Sequence, residues 1–479
     1  MSKNYNAKNR IELELFINQV AEKILQNNLS LFVGAGSSMQ YNFMSWRELM
    51  EDVYDGCNNW NNTEKAQYAE LKGIEVKKKI CEKITLKTID TNIEKTYLNY
   101  LLDFNYKSIW TTNYDLIIEK VLSKKGKKYI SIFKYNDFQS LSYPNGNFLF
   151  KINGSCSSPE SIVITKNDFI DYRRSHEAYL ILLKRELICH NFLFIGCSFD
   201  DDILRICIKD ILNCIENSRE NYIINHYAVI AERNEEKLNY ISTDLLKHYN
   251  INCLLVNKTS DAHKIAYGIS NKVKYSSIFI SGAKSFKRHS PEENIGKKLC
   301  KELIKAFMNI KTFPFKFISG MGMSIGNFIC GSVKEACSEN KNLNRYLQME
   351  PFPFTSPEAN KKHRKDMISK AGIFIFLYGD NEENNQTSGM WQEYYEAKNN
   401  ANNIIVPIPC GESSISKSLF SLELEDKNSF SYKNQTLLFG FEHKNPDESF
   451  FTSLVNKIIL DSRIHMDEIL DEISKAFID

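Results

Sequence analysis

The sequence predicts an α/β protein of two Rossmann-like domains, each a mainly parallel sheet flanked by helices. Three observations carry that prediction. Short runs rich in aromatic and β-branched residues alternate with helix-compatible stretches along the whole chain. The runs lack the polar alternation of a sheet with one wet face, so both faces of each sheet are expected to be covered. Both halves of the chain open on a strand that runs into a glycine turn. With 479 residues, the chain also exceeds what one hydrophobic core usually organises.

Residues 10 to 27 place Ile11, Leu15, Ala21, Ile24 and Leu25 on a stretch without Gly or Pro, which reads as an amphipathic helix. Ser30–Val33 is the first strand, and it enters Gly34-Ala35-Gly36-Ser37-Ser38. Further strand runs lie at Ser108–Thr112, Phe148–Ile152, Phe192–Ile195, His226–Ile230 and Ile251–Val256. A second series comprises Ser276–Ile280, Phe315–Ser319, Gly372–Tyr378 and Ile404–Ile408. The polar stretch from Asn257 to Lys274, with room for one short helix, is the expected junction, dividing the chain into 1–274 and 275–479.

Composition narrows the functional classes. At 43% hydrophobic, 12% aromatic and 25% charged, the chain falls in the globular range. Its 61 basic and 59 acidic side chains leave a formal charge of +2, so no global field favours nucleic acid or an anionic membrane. The first residues lack the zones of a secretory signal, and no apolar run approaches the roughly 20 residues of a membrane helix. A soluble, cytoplasmic protein is expected, with no nucleic-acid or membrane partner. The 12 cysteines are scattered singly without a C-x-x-C, which suggests neither a zinc ribbon nor a disulfide framework, and no metal is expected.

The chemistry-bearing residues cluster at predicted strand ends. Gly34-Ala35-Gly36 puts side-chain-free backbone where amides can approach a pyrophosphate, although the spacing is not that of G-x-G-x-x-G. Trp110-Thr111-Thr112-Asn113-Tyr114-Asp115 ends a second strand, Lys151-Ile152-Asn153-Gly154-Ser155 a third, and Gly196-Cys197-Ser198-Phe199-Asp200 a fourth. Polar groups thus converge at one sheet edge, the usual place for a ligand in an open parallel sheet.

This ordered set resembles the sirtuin family, with its G-A-G-x-S, T-x-N-x-D, H-G and G-x-S segments, over roughly residues 10 to 260. The resemblance implies NAD as the substrate and no further cofactor. It implies that Gly34, Ala35, Gly36 and Ser38 cradle the pyrophosphate, that Asn113 and Asp115 face the nicotinamide ribose, and that Gly196, Ser198, Phe199 and Asp200 form the adenosine segment. Two departures stand out. The four-cysteine zinc ribbon of sirtuin deacylases is missing, which argues against protein deacylation. The catalytic His-Gly pair appears as Asn153-Gly154, and no histidine precedes His176. Cleaving the nicotinamide–ribose bond creates an oxocarbenium-like centre, and an imidazole suits the accompanying proton transfer near neutral pH. A carboxamide cannot take that proton. The chain is expected to bind NAD and to turn it over poorly, with Asn113 and Asn153 at the catalytic positions.

The second half holds its own set. Ile278-Phe279-Ile280 runs into Ser281-Gly282-Ala283-Lys284, and Phe317-Ile318-Ser319 into Gly320-Met321-Gly322-Met323-Ser324. Lys361-Lys362-His363-Arg364-Lys365 concentrates charge just before the strand at Gly372–Tyr378, with Arg364 the best bidentate donor for a phosphate. Together with Glu350-Pro351-Phe352-Pro353, Phe376-Leu377-Tyr378-Gly379 and Gln392-Glu393, these segments are similar to the sensor half of the Thoeris antiphage effectors, in which a sirtuin-like domain is fused to a SLOG domain. That resemblance implies NAD hydrolysis switched on by a cyclic ADP-ribose isomer, made by a separate TIR-domain protein, in a homo-oligomer of tetramer size or larger. It places signal contacts on Arg364, Gly389, Glu393 and the turns at Ser281 to Lys284 and Gly322 to Ser324, with Asn381 where the family has a lysine. Two other classes stay open at this point: a non-catalytic NAD sensor or scaffold, and a nucleotide phosphoribohydrolase built on the second half around Glu393.

Overall fold

The computed structural model describes residues 3–51, 60–88, 90, 93–142, 146–199, 205, 207–210, 224–258, 261–311, 314–337, 343–353, 356–379, 388–442 and 447–478. The chain divides into two compact units. One comprises Met1–Ile24, Asn28–Tyr267 and Ile473–Asp479, the other Leu25–Asn27 and Gly268–Glu472. No helix among the described residues is long and apolar enough to cross a membrane.

The first unit is built on eight parallel strands: β1 (Tyr5–Asn6), β2 (Leu29–Val33), β3 (Ile109–Thr111), β4 (Ile130–Ile132), β5 (Phe148–Lys151), β6 (Asn191–Ile195), β7 (His226–Ala231) and β8 (Ile251–Val256). They lie in the order β1-β8-β7-β6-β2-β3-β5-β4. The chain leaves β2 to one side through β3 and returns to its other side through β6, so the strand order reverses at β2. Every residue of β2 and β6 is buried, as expected of strands covered on both faces. Phe32 packs on Phe194 across that pair, and Trp110 stacks on Phe150 with ring centres 4.1 Å apart. Burial of each such ring contributes about 1.5–3 kcal/mol, and the resulting rigidity fixes where the strand ends point.

The helix read from residues 10 to 27 forms over Arg10–Leu25, and Ala21, Ile24 and Leu25 are buried as expected, but its first two turns bury other residues than those expected. Leu13, Phe16, Ile17, Val20, Ala21 and Ile24 are buried, whereas Ile11 and Leu15 face water. Apolar residues surround much of this helix, and the 13-16-17-20-21-24 spacing is the one that keeps a single face at 3.6 residues per turn. The expected strands are all present. The strands absent from the sequence reading, β1 and β4, have two and three residues at the two sheet edges, too short for a periodic signal.

The second unit holds β9 (Ser277–Ala283), β10 (Lys316–Ser319), β11 (Leu347–Met349), β12 (Ile373–Tyr378) and β13 (Ile404–Ile408), all parallel, in the order β11-β10-β9-β12-β13. Here too the order reverses at the first strand. β12 is buried along its full length. β11, a three-residue edge strand, is again the one that the sequence did not announce.

Candidate functional site

In the first unit the β2 and β6 turns are pressed together by glycine. The Gly34 amide donates to Ile195 O at 2.9 Å, and the Gly36 amide to Gly196 O at 2.9 Å. A Cβ on Gly34 would meet the Gly196 carbonyl and lie 2.8 Å from Cys197 Cα, so no side chain fits there. Gly196 itself has φ of +68°, a left-handed conformation natural to glycine. Both glycines of the G-A-G segment therefore spend their amides on the end of β6 and the turn after it. Ala35 and Ser38 line the adjoining cavity.

That cavity measures about 1090 Å³, which is ample for a dinucleotide. Asn113, Asp115, Asn153 and Ser198 also line it. Asn113 sits just past β3. Its side-chain amide donates to Gly34 O at 3.2 Å and to Ser38 Oγ at 3.0 Å. The Ser38 hydroxyl donates in turn to Asp115 Oδ2 at 2.8 Å, and Asp115 Oδ1 accepts from the Ile117 amide. The side-chain carbonyl oxygens of Asn113 and Asn153 are both buried without a hydrogen-bond partner. Each residue is 6% exposed. Buried amide oxygens are normally satisfied, so two unpartnered ones on residues that line one cavity stand out.

The backbone around Asn153 is well fixed. The Asn153 backbone carbonyl accepts from the Val163 amide at 3.0 Å, and Tyr172 donates its hydroxyl to Ile152 O at 2.8 Å. Tyr172 comes from the helix Lys166–Ser175, whose start is held by a Thr165–Asp168 capping box. His176 does not substitute for the missing imidazole. It stacks on Tyr172 at 4.3 Å, its Nδ1 meets Ser175 Oγ at 2.8 Å, and burial holds its pKa below the ordinary value. His190 lies at the opposite end of the sheet, just before β6 begins. Phe199 adopts a left-handed backbone and turns its ring into the core against Phe194, so only its backbone is left to meet a ligand. Asp200 lies outside the described residues.

A second convergence occurs at the carboxyl edge of the second sheet. Ser281, near the end of β9, donates to Glu393 Oε2 at 2.6 Å. Glu393 belongs to the helix Gly389–Lys398, and its carboxyl is pushed up to about 7, chiefly by burial, with the Ser281 hydrogen bond and the Arg364 charge opposing. Arg364 Nε stands 3.7 Å from Glu393 Oε1, and Nη1 donates to Gln392 Oε1 at 2.9 Å. Its guanidinium lies over the Phe352 ring at 4.7 Å. Gly389 leaves the space Arg364 occupies, since a Cβ there would be 2.8 Å from Nη2. Arg364, Gly389, Ser281 and Glu393 are thus brought together. Gly282 pairs with Leu377 across β9 and β12, and Lys284 Nζ lies 5.8 Å from both the Phe286 and Tyr378 rings. Ala283 closes β9, while Gly322 caps the helix Met323–Ala336, whose first turn holds Ser324. Asn381 lies outside the described residues.

Comparison with known proteins agrees with a two-domain layout. Residues 107–254 match the SIR2-like domain family, and residues 262–462 match the Sir2- and TIR-associating SLOG family. The chain joins a SIR2-like domain to a SLOG domain. It is 26% identical over 425 residues to the NAD(+) hydrolase ThsA of Bacillus cereus (strain MSX-D12), covering 83% of this chain and 86% of that protein. To the protein of the same name from Acinetobacter baumannii (strain 532279) it is 27% identical over 485 residues, covering 93% and 98%. A shorter similarity, 24% over 196 residues, links it to defense-associated sirtuin 2 of Bacillus subtilis, with 39% and 19% covered.

Within the SIR2-like domain, motif reading missed Lys151 and Tyr172. Lys151 ends the apolar run Phe148-Leu149-Phe150 and is 1% exposed. A lysine closing such a run is a sequence signal in itself, because a buried ammonium needs partners. Tyr172 offered no such signal in the helix Lys166–Ser175.

Proposed function

We propose that this SIR2–SLOG fusion is an NAD+ hydrolase of antiphage defence, releasing nicotinamide and ADP-ribose in the cytoplasm. The observation that carries the reading is the pair of unpartnered oxygens on Asn113 and Asn153 beside Ser38 and Asp115, at the reversal point of a parallel sheet. Ribose hydroxyls are donors that such oxygens accept. The pyrophosphate falls on the side of Ala35 and Ser38, and the adenosine half on the side of Ser198. Relatives that align over most of their length are named NAD(+) hydrolases, which supports the same substrate here.

Asn153 sets the rate in this proposal. A carboxamide orients the ribose but accepts no proton, and losing one general base typically costs about 10²–10⁴ in rate. Activation is assigned to the second site. A cyclic ADP-ribose isomer from a TIR-domain partner binds at Arg364, Glu393 and the Ser281 turn, and a homo-oligomer transmits the signal. The test is nicotinamide release by this chain and by Asn153→His, each with and without cyclic ADP-ribose isomers. The histidine form is expected to be at least about tenfold faster, the low end of a general base's contribution. Equal rates would show that the proton acceptor lies elsewhere, and failure to bind NAD would end the reading. The Asn153 substitution itself favours one second reading, an NAD sensor without turnover. Saturable NAD binding with no nicotinamide release, even with activator, would establish it.

A further inference from the structure

Lys151 is the one charged residue among the largest fully buried side chains of the protein's described residues. Desolvating an ammonium is expensive, and an aliphatic side chain would fill the same volume without that penalty. Its retention calls for a reason, and its contacts supply one. Nζ donates to Glu119 Oε1 at 2.9 Å, to the Asp115 carbonyl, and more weakly to the Tyr114 carbonyl at 3.5 Å. An ammonium has three donors, and all three go to the short stretch 114–119 that follows β3. Lys151 itself ends β5, two residues before Asn153. The backbone adds two ties between the same segments: Ile152 N to Thr111 O at 3.0 Å, and Cys156 N to Tyr114 O at 2.9 Å.

The network continues into the site. Asp115, whose carbonyl is held by Lys151, receives the Ser38 hydroxyl on its carboxylate, and Ser38 Oγ receives the Asn113 amide. A continuous polar chain therefore runs from Glu119 through Lys151, Asp115 and Ser38 to Asn113. Buried hydrogen bonds and an ion pair linked in this way favour one arrangement over its alternatives, although Glu119 Oε2 and Asn113 Oδ1 stay without partners. We propose that the Lys151–Glu119 ion pair is a positioning clamp that locks the Asn113–Asp115 turn to the Asn153 strand end, and so sets the geometry of the ribose-binding residues. The proposal rests on the reading of this cavity as the NAD site. Lys151 touches no ligand and takes no part in bond cleavage.

The test uses the full chain with Lys151→Met and the charge-balanced double variant Lys151→Met/Glu119→Gln, the latter so that no carboxylate is left unpaired. A core substitution with a matched loss of melting temperature, Ile109→Val, is the control. Hydrogen exchange is read over residues 112–118 without ligand, alongside NAD affinity and steady-state nicotinamide release in the Asn153→His background. The double variant is expected to exchange at least tenfold faster over that turn and to lose at least tenfold in turnover, with NAD affinity weakened less than threefold. The control should move neither. Unchanged turn exchange overturns the clamp, and so does a loosened turn with full turnover. If no form of the protein binds NAD, the NAD reading fails, and turn exchange alone then decides whether the clamp exists.

Discussion

Glu393 gives the second site a measurable proton linkage. The carboxyl is 7% exposed, and burial lifts it from an ordinary 4.5 to about 7, while the Ser281 hydroxyl and the Arg364 guanidinium hold it down from climbing further. The folded protein therefore binds this proton more tightly than the unfolded chain. Its contribution to stability is full below about 4.5 and is lost as pH rises through about 7. At about 1.4 kcal/mol per pH unit, the gap between 4.5 and 7 bounds the effect near roughly 3 kcal/mol. Glu393→Gln mimics the protonated form and removes the linkage. Exchange of β9 amides in the full chain is the assay, because Ser281 lies on that strand and the ratio of the two proteins at one pH cancels intrinsic exchange chemistry. The ratio of wild-type to Gln-variant exchange should stay near one at pH 4.5 and rise toward about 300-fold by pH 8, the ratio set by the gap between 4.5 and 7. A ratio that does not change with pH would refute the assignment of a raised carboxyl to this position.

Three further outcomes are expected. Asn113→Ala, tested in the Asn153→His background, should abolish most nicotinamide release while NAD still raises the melting temperature; retained turnover would leave Asn113 a turn residue only. Gly34→Ala should cost about 1–3 kcal/mol through overpacking against the Gly196 carbonyl, and a calorimetric transition that does not move would contradict the packing of those two turns. Arg364→Ala removes a charge-assisted donor worth about 1.5–3 kcal/mol, weakening cyclic ADP-ribose binding by about 10- to 150-fold without loss of NAD affinity. An unchanged dose-response would place the signal site away from Arg364.

Strand ends were legible in the sequence because a parallel sheet buries both faces, so its strands read as uninterrupted apolar runs and the polar residues that follow them stand out. Asn113, Asp115, Asn153 and Ser198 stood out in this way, and so did Ser281 in the second half, whereas Arg364 was read from the basic run Lys361–Lys365. What stayed hidden depends on distance between chain segments. Nothing in Gly34-Ala35-Gly36 says that the flanking glycine amides will be consumed by Ile195 and Gly196. Nothing in the helix-compatible run at 166–175 says that Tyr172 will hold the Ile152 carbonyl. The face of the helix Arg10–Leu25 was misjudged in its first two turns because its apolar residues exceed one stripe, and only packing decides which of them go inside.

On the proposed reading, binding and turnover fall to different groups around the cavity, which gives Asn153 a definite kinetic meaning. Ser38 and Asp115 hold one another in place whether or not a proton acceptor stands beside them. Contacts made equally to substrate and transition state lower KM without raising kcat. An Asn153 carbonyl that accepts a ribose hydroxyl belongs to that kind: its hydrogen bond forms in the ground state and gains little as the glycosidic bond breaks. An imidazole at the same place gains strength as the hydroxyl loses its proton. The two forms should therefore differ in kcat and hardly in NAD affinity. Cavity residues that merely enclose the dinucleotide should shift affinity instead. An Asn153→His enzyme with unchanged kcat and a tightened Kd would show that the proton acceptor lies elsewhere and that position 153 serves binding alone.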